Sequence, residues 1–307
     1  MQDEPSIVAI KPADLPAPPP ATVEILQACA NPDVSGQEIA GIVGQDPVLT
    51  AELLRMANSP FFGMSREVKT IDRAVLVLGQ RALRNLVLCI SMQKVLRGKE
   101  IPGFDISTYW EDSLRRAVAA RHLGETQHLT PAECLTMGLL LDLGLLVMLQ
   151  AMPEAGPEWQ SLRRADPEER YVIEQRLFGT THDRVGAMLS EAWSLPEELG
   201  TPLAFHHGDL PVAAASVLEK LCNIAHCADW MAAVYGTEAK VATVERCQEE
   251  LGKYFQIDAE QSQVMLAKMA ESVEEAAVAL GLRVKKQIPL DEVMHQANER
   301  LANEALS

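Results

Sequence analysis

The sequence has no convincing alternation of polar and apolar residues of the kind that marks β-strands, and only Ser6 to Ile10 could pair as a short strand. It also lacks an export signal, because Met1 to Asp14 is acidic and contains no basic segment followed by an apolar one. Its six cysteines form no CxxC pair. Most of them lie in apolar stretches, where a free thiol behaves as a small hydrophobic group, so we expect a reducing, cytoplasmic compartment.

Positive charge is scarce. Lysine and arginine total 27 against 43 aspartates and glutamates, which gives a formal net charge of −16. Such a balance disfavours attraction to nucleic-acid phosphates and to anionic lipid, so neither nucleic acid nor a membrane is expected as a partner. Residues 65–99 are a local exception rich in lysine and arginine. A solvated helix face and an anion site both fit that stretch, and the solvated face is the more common outcome.

Long apolar runs are also missing. The longest, Cys134 to Leu149, is interrupted by Thr136, Asp142 and two glycines. It is shorter than the roughly 20 residues that a membrane-spanning helix needs. With 48% apolar and 23% charged residues in 307, the chain is predicted to be globular and long enough for two subdomains.

Helix signals are frequent. Apolar residues recur at helical spacing, as in Leu83, Leu86, Val87 and Ile90. Capping residues, often followed by proline at the first helical position, predict where helices begin. These signals are Ser35 with Glu38, Asp46 with Pro47, Thr130 with Pro131 and Glu133, and Asp166 with Pro167 and Glu169. The predicted fold class is therefore all-α.

Composition divides the chain into parts. Glycine and proline cluster from Gly98 to Gly103, and the polar, proline-containing stretch from Met152 to Arg170 is predicted to be a loop or an insertion. The predicted parts are a tail (1–14), an N-terminal helical part (15–104), a helical core (105–235) and a C-terminal helical extension (236–307).

One aspartate stands out. From Cys134 to Leu149 the sequence is apolar on every face of a helix, which predicts a buried central element whose only charge is Asp142. A buried carboxylate costs several kcal/mol unless it is paired, hydrogen-bonded or bound to a metal ion. Asp142 is therefore expected either to serve a site or to lie at the end of a broken helix near Gly144.

Partners for this aspartate occur downstream. His182 leads an apolar stretch, His206 and His207 are adjacent, and Asp229 has mostly small neighbours one helical turn away. Each histidine alone is more often an ordinary core or surface residue than a ligand. Carboxylates and imidazoles from separate helices are, however, the mixture that divalent metals bind.

Several motifs resemble one known family. The segment Asp14 to Gly63, with its block DPVLTAELLRMANSPFFG, is similar to the opening of HDOD domains, which are relatives of the HD-domain phosphohydrolases. The similarity continues through TIDRAVLVLG, GLLLDLGLLVM and FGTTHDRVGAMLSEAWSLPEELGTPLAFHH, and covers roughly residues 15–235. The resemblance implies an HD-type helical bundle, with an N-terminal helical subdomain, that acts in bacterial signal transduction.

The resemblance also implies a metal-ligand set. HD enzymes hold one or more metals with a first histidine, a His-Asp dyad, later histidines and a distal aspartate. Here Leu141 replaces the dyad histidine, and Asp112 falls near the first one. Leucine can neither bind a metal nor relay a proton, so no catalytic residue is expected. The implied ligands are Asp112, Asp142, His182, His206, His207 and Asp229. The implied ion is a divalent transition metal (Fe, Mn, Ni or Zn), and no ion at all is the alternative.

Three functions remain open at this point. The first is a non-catalytic regulatory module that binds a partner or a small ligand. The second is a metal-dependent phosphohydrolase acting on a nucleotide or cyclic dinucleotide, in which Asp142 would bridge two metals. The third is a structural scaffold in which the histidines and aspartates are core hydrogen-bonding groups.

The C-terminal segment suggests a partner. From Pro289 to Ser307, apolar residues at spacings of three and four form a narrow stripe between charged flanks. HDOD modules are often joined to an output domain by such a helix, so the expected partner is a downstream output domain or signalling protein, or a second copy in a homodimer. The alternative is that the helix packs on its own domain, because two heptads give little coiled-coil stability.

Overall fold

The computed structural model describes residues 10–31, 34–58, 67–96, 100–207, 216–236, 241–282 and 284–304. These residues contain helices and no strand, which confirms the all-α prediction. The α-helices are α1 (Pro20–Ala30), α2 (Gly36–Val43), α3 (Pro47–Ala57), α4 (Ile71–Leu78), α5 (Gln80–Leu96), α6 (Ile106–Thr126), α7 (Pro131–Leu140), α8 (Leu143–Ala151), α9 (Gly156–Leu162), α10 (Pro167–Phe178), α11 (His182–Ala192), α12 (Glu197–Phe205), α13 (Val217–Gly236), α14 (Val241–Phe255), α15 (Ala259–Leu280) and α16 (Leu290–Glu304).

The predicted capping residues begin the helices. Ser35 forms a full capping box at α2, and Asp166 forms another at α10. The Asp46 side chain accepts hydrogen bonds from two backbone N–H groups at the start of α3. Helix α7 begins at Pro131 as predicted, although the side chain of Thr130 makes no capping bond. Capping side chains satisfy backbone N–H groups that have no partner within the helix, so they fix where each helix starts.

Asn58 marks the end of α3. Its side-chain amide donates to the Leu54 carbonyl at 2.8 Å and to the Val68 carbonyl at 2.7 Å, and its side-chain oxygen accepts from the Val68 backbone N–H. The residue therefore ends the helix and ties together the two sides of the segment that follows. That segment, Ser59–Gly63 of the HDOD-like motif, lies outside the described residues.

Helix α6 is the centre of the molecule. It packs against α7, α13 and α15, and α8 packs against α11. Helices α1–α5 pack among themselves and reach the core through contacts of α5 with α7. Close approach of α7 to α6 depends on Gly138, because a Cβ atom there would lie 2.7 Å from the Arg116 carbonyl oxygen. The arrangement places charged residues of α6 inside the bundle.

The apolar stretch from Cys134 to Leu149 is buried, as predicted. It is not one helix, because α7 ends at Leu140 and α8 begins at Leu143 with Asp142 in the N-cap position. By length and composition alone, the 21 described residues Pro131–Ala151, which include both helices, could cross a membrane. However, 89% of their most apolar part is buried inside the protein. The stretch therefore has the burial of a core element.

All six cysteines are free, and five of them are buried. Burial raises the pKa of the Cys89 thiol, and likewise of the Cys134 thiol, to about 12. A thiol that stays protonated is a poor nucleophile and a poor metal ligand. These cysteines act as small core residues.

The basic stretch of residues 65–99 is described in part, and some of its cations pair with carboxylates at the surface. Lys69 lies 3.3 Å from Glu67, and Arg81 lies 3.1 Å from Glu198. The side chains of Lys69 and Arg81 are 75% and 65% exposed. This pattern favours the solvated helix face over the anion site.

The prediction of a loop from Met152 to Arg170 is wrong. The segment contains α9 and the first turn of α10. Trp159 of α9 is buried and contacts Phe178, with 6.4 Å between the ring centroids. Burial of this aromatic residue stabilises a short helix that polar composition and prolines conceal.

The C-terminal helix packs on its own domain. Helix α16 contacts α14 and α15, and Val293 and Ala297 of its apolar stripe are each only 1% exposed. For these positions the packing alternative is confirmed, and the stripe is not free to form a seam with another chain. The side chain of Leu301 and all of Ala305 lie outside the described residues.

The packing of α16 can be tested with two valines. We expect Val293→Ala to lower the free energy of unfolding by about 2 kcal/mol, because it deletes two buried methyl groups and leaves a cavity. Val278→Ala, at a position that is 75% exposed, should change it by less than about 0.5 kcal/mol. Urea unfolding followed by circular dichroism measures both, and equal stabilities would contradict the docked position of α16.

Candidate metal site

Three histidines converge inside the bundle. His182 is the first residue of α11, and His206 and His207 directly follow α12. The Nε2 atom of His182 lies 2.9 Å from Nε2 of His206 and 3.1 Å from Nε2 of His207. One nitrogen from each ring falls within 4.8 Å of the other two. These atoms are close enough to bind one ion together.

Two of the rings, those of His182 and His206, have a hydrogen-bond acceptor at Nδ1. Glu174 accepts hydrogen bonds from the His182 backbone N–H at 2.8 Å and from Nδ1–H of its ring at 2.6 Å. The Nδ1 atom of His206 lies 3.0 Å from the Pro202 carbonyl oxygen, to which it can donate. A proton on each Nδ1 turns the lone pair of Nε2 toward the other histidines. Histidines that bind metals are oriented in the same way.

The three imidazoles differ in charge. Burial alone would lower the pKa of His182, but Glu174 and Asp142 raise it to about 9. Burial, and then the charge of His182, lower the pKa of His206 to about 4. Burial also lowers the pKa of His207 well below its usual value. The Nε2 lone pairs of the three rings face one another and would repel. Either a proton on Nε2 of His182 or a cation bound among the rings would relieve this repulsion.

Asp142 brings a carboxylate to the same place. Its Oδ2 atom lies 2.9 Å from Nη1 of Arg116. Within the described part of the chain its Oδ1 atom is buried and has no hydrogen-bond partner, and it lies 3.6 Å from Nε2 of His182. Donors of a tetrahedral zinc site are about 3.3 Å apart, close to the distances of Nε2 of His182 from the other two Nε2 atoms and from Oδ1 of Asp142. The three imidazoles therefore fit a transition-metal ion, and the unpartnered oxygen lies beside one of them.

Asp229 is occupied by arginines. Nη2 of Arg170 lies 3.0 Å and 3.2 Å from its two oxygens, and Nη1 of Arg116 lies 3.4 Å from Oδ1. Burial alone would raise the pKa of Asp229, but Arg170 and Arg116 hold it far below its usual range. The space that the small neighbours leave beside this residue is lined by these guanidinium groups and by Ala232.

Asp112 has partners of its own. One carboxylate oxygen lies 2.6 Å from Nη1 of Arg115, and the other lies 3.3 Å from Nη1 of Arg163. Of the six implied ligands, the structure thus brings His182, His206 and His207 into one cluster, with Asp142 beside His182. It places Asp229 beside them and pairs Asp112 with arginines. The ligand roles stay predictions.

A cavity of about 670 Å³ adjoins the histidines. Its wall includes His206 and His207 together with His226 and Glu250. The Nδ1 atom of His226 lies 2.9 Å from the His206 carbonyl oxygen, and its Nε2 atom lies 3.1 Å from Glu250. Of the proposed ligands, only His206 and His207 line the cavity, so a small molecule in it would contact the site through these two residues.

Sequence reasoning missed Arg116, Arg170 and Glu174. Arg116 is followed by the apolar residues Ala117 and Val118. A charged residue beside an apolar run is the same sequence signal that Asp142 gives. Arg170 lies in the stretch that was predicted to be a loop. Glu174 belongs to a polar helix and offers no sequence signal, because its burial depends on the packing of α10 against the core.

The family model for the HDOD domain matches residues 15–208 of this chain. The chain belongs to the HDOD domain family. The HDOD domain is also found in a protein of unknown function from Geobacter sulfurreducens, whose crystal structure matches with a TM-score of 0.64 and 26% identity. That match covers 86% of this chain and 92% of the other.

One further solved structure is similar in fold, and one further protein is similar in sequence. A candidate phosphohydrolase of Shewanella amazonensis SB2B matches with a TM-score of 0.66 and 24% identity, over 89% of this chain and 97% of the other, which supports the helical fold alone. An uncharacterized protein of Treponema pallidum (strain Nichols) is 31% identical over 205 residues. The match covers 65% of this chain but only 39% of that curated relative's length.

Proposed function

We propose that this HDOD chain is a non-hydrolytic, cytoplasmic regulatory module of signal transduction that holds one divalent transition metal ion. The ligands are His182, His206, His207 and Asp142. The observation that carries the proposal is the convergence of three Nε2 atoms beside Oδ1 of Asp142, a buried oxygen that lies 3.6 Å from Nε2 of His182 and has no hydrogen-bond partner within the described residues. When bound, the ion would link α8, α11 and α12 and neutralise the buried carboxylate.

The proposed set of four protein ligands argues against hydrolysis. Catalytic zinc sites have three protein ligands and leave a position for water, whereas sites with four protein ligands are structural. Leu141, which replaces the dyad histidine, is fully buried and can supply neither a ligand nor a proton. This chain's own residues would therefore orient the ligands through Glu174 and Pro202 and exclude water from the ion.

Hydrolysis of a nucleotide or cyclic dinucleotide is the second candidate. The observation that favours it is the cavity of about 670 Å³ beside His206 and His207, which is large enough for a small-molecule ligand. The same cavity suits a regulatory ligand equally well.

The partner is proposed to be a downstream output domain or signalling protein, or a second copy of the chain. Because Val293 and Ala297 of α16 are buried, a partner would contact a surface other than this stripe. Light scattering of the purified chain measures whether it forms a dimer.

Metal content and hydrolysis test the proposed function together. Protein purified without chelator or affinity tag should contain one transition metal ion per chain by elemental analysis. His206→Ala should lose it, whereas His295→Ala, at an exposed position of α16, should keep it. Neither a model phosphodiester nor a cyclic dinucleotide should be hydrolysed above the rate of His206→Ala. Absence of metal uptake would remove the site, and robust hydrolysis that Asp142→Ala abolishes would establish the second candidate.

A further inference from the structure

Two buried aspartates contact the same arginine, and one of them, Asp229, also pairs with Arg170. Asp142, at the start of α8, is 4% exposed, and Asp229 of α13 is 2% exposed. Between them lies Arg116 of α6, itself 1% exposed. Its Nη1 atom is 2.9 Å from Oδ2 of Asp142 and 3.4 Å from Oδ1 of Asp229. One nitrogen therefore contacts carboxylates from two different helices.

The rest of the Arg116 side chain is poorly partnered. Within the described residues its Nε atom is buried and has no hydrogen-bond partner, and its Nη2 atom donates to Ser113 at 3.2 Å. An arginine normally pairs with a carboxylate through two parallel hydrogen bonds. The guanidinium of Arg116 is thus positioned by electrostatic attraction to both carboxylates, and it forms a two-bond pair with neither of them.

The same three-dimensional arrangement suits a divalent cation. Oδ2 of Asp142 and Oδ1 of Asp229 face one point, which Nη1 of Arg116 now occupies. Carboxylate oxygens together with water are a donor set that manganese accepts. Two-metal hydrolases likewise rely on a pair of ions about 3.5–4 Å apart.

We infer that Arg116 is a fixed cation in the position of a second metal ion, and that it limits the chain to one ion. The inference rests on the proposed metal site, since it concerns the ion beside that site. It makes Arg116 a residue that determines metal stoichiometry. Arg116, together with Arg170 on Asp229, neutralises the aspartates without a second ion, and a two-ion arrangement does not form.

The test compares ion counts in wild type and Arg116→Met. Each protein is stripped of metal, given one equivalent of Zn²⁺ and then excess Mn²⁺, freed of unbound ions and analysed for both metals. Arg116→Met should contain one ion per chain more than the wild type. Its thermal midpoint should rise with Mn²⁺ by about 5 °C or more beyond any rise of the wild type.

Three further variants control this result. Arg115→Met removes the neighbouring buried arginine, which pairs with Glu111 and Asp112, and should hold no extra ion. Arg116→Met combined with Asp229→Asn removes one carboxylate and should also hold none. Arg116→His introduces a neutral ligand, and it should gain the ion even if Arg116→Met does not fold.

The outcomes separate the two proposals. An extra ion in the Arg116 variants supports the position of Arg116 at a cation site. If the wild type then binds no ion, the proposed function and the limit of one ion both fail, and only that position of Arg116 stands. One ion in the wild type and one in both Arg116 variants would overturn the inference and leave the proposed function standing.

Discussion

Gly144→Ala should lower the free energy of unfolding by at least about 3 kcal/mol and abolish metal retention. A Cβ atom at Gly144 of α8 would overlap the His182 carbonyl oxygen and lie 2.8 Å from the backbone nitrogen of Gly186. Both are backbone atoms of α11, so no side-chain rotation relieves the overlap. Helix α11 would have to move, and His182 would move with it.

A second glycine provides the control for this prediction. Gly41 of α2 is also helical, but a Cβ atom there meets nothing within 4 Å. Gly41→Ala should be neutral or stabilise the protein by up to about 1 kcal/mol, because alanine favours helix more than glycine does. Urea unfolding measures both variants. If Gly144→Ala is as stable as Gly41→Ala, the close contact of α8 with α11 is wrong.

Glu174→Gln should weaken metal binding by about 10- to 100-fold. Glutamine is nearly the same size and can still accept a hydrogen bond from Nδ1–H of His182, so the variant removes the charge and largely keeps the geometry. A carboxylate behind the ring makes Nε2 a better donor to a metal ion, and the neutral amide does this less well. Glu174 is thus a positioning residue for His182.

Competition with a fluorescent zinc chelator measures this affinity. Glu191→Gln is the matched control, because Glu191 lies on the same helix as His182 but is exposed. The control should bind Zn²⁺ as the wild type does. Metal-free Glu174→Gln should keep the wild-type circular dichroism spectrum, which separates a loss of affinity from a loss of fold. An affinity within twofold of the wild type would contradict the role of Glu174.

Helix starts were predictable from local sequence. The caps at Ser35, Asp46 and Asp166 act within one helical turn, so the residues that determine them are neighbours in the chain. The break at Asp142 was one of two open interpretations, because a charge in an apolar run can either end a helix or serve a site. In the structure Asp142 lies at the break between α7 and α8, and its carboxylate is also next to His182 of the proposed site.

Long-range partners were not predictable from local sequence. Asp142 was expected to have a polar partner, yet nothing near it in the chain identifies Arg116, which lies on α6 with the whole of α7 between the two residues. The prolines and polar residues after Met152 conceal α9, whose stability comes from burial of Trp159. That error also concealed Arg170, and with it the reason why Asp229 is engaged by arginine in this structure.

Anomalous scattering from crystals grown with Zn²⁺ tests the central claim most directly. We predict a single peak per chain, within bonding distance of Nε2 of His182, His206 and His207 and of Oδ1 of Asp142, with Arg116 still between Asp142 and Asp229. No peak among the three histidines, or a second peak between the two aspartates, would contradict the account.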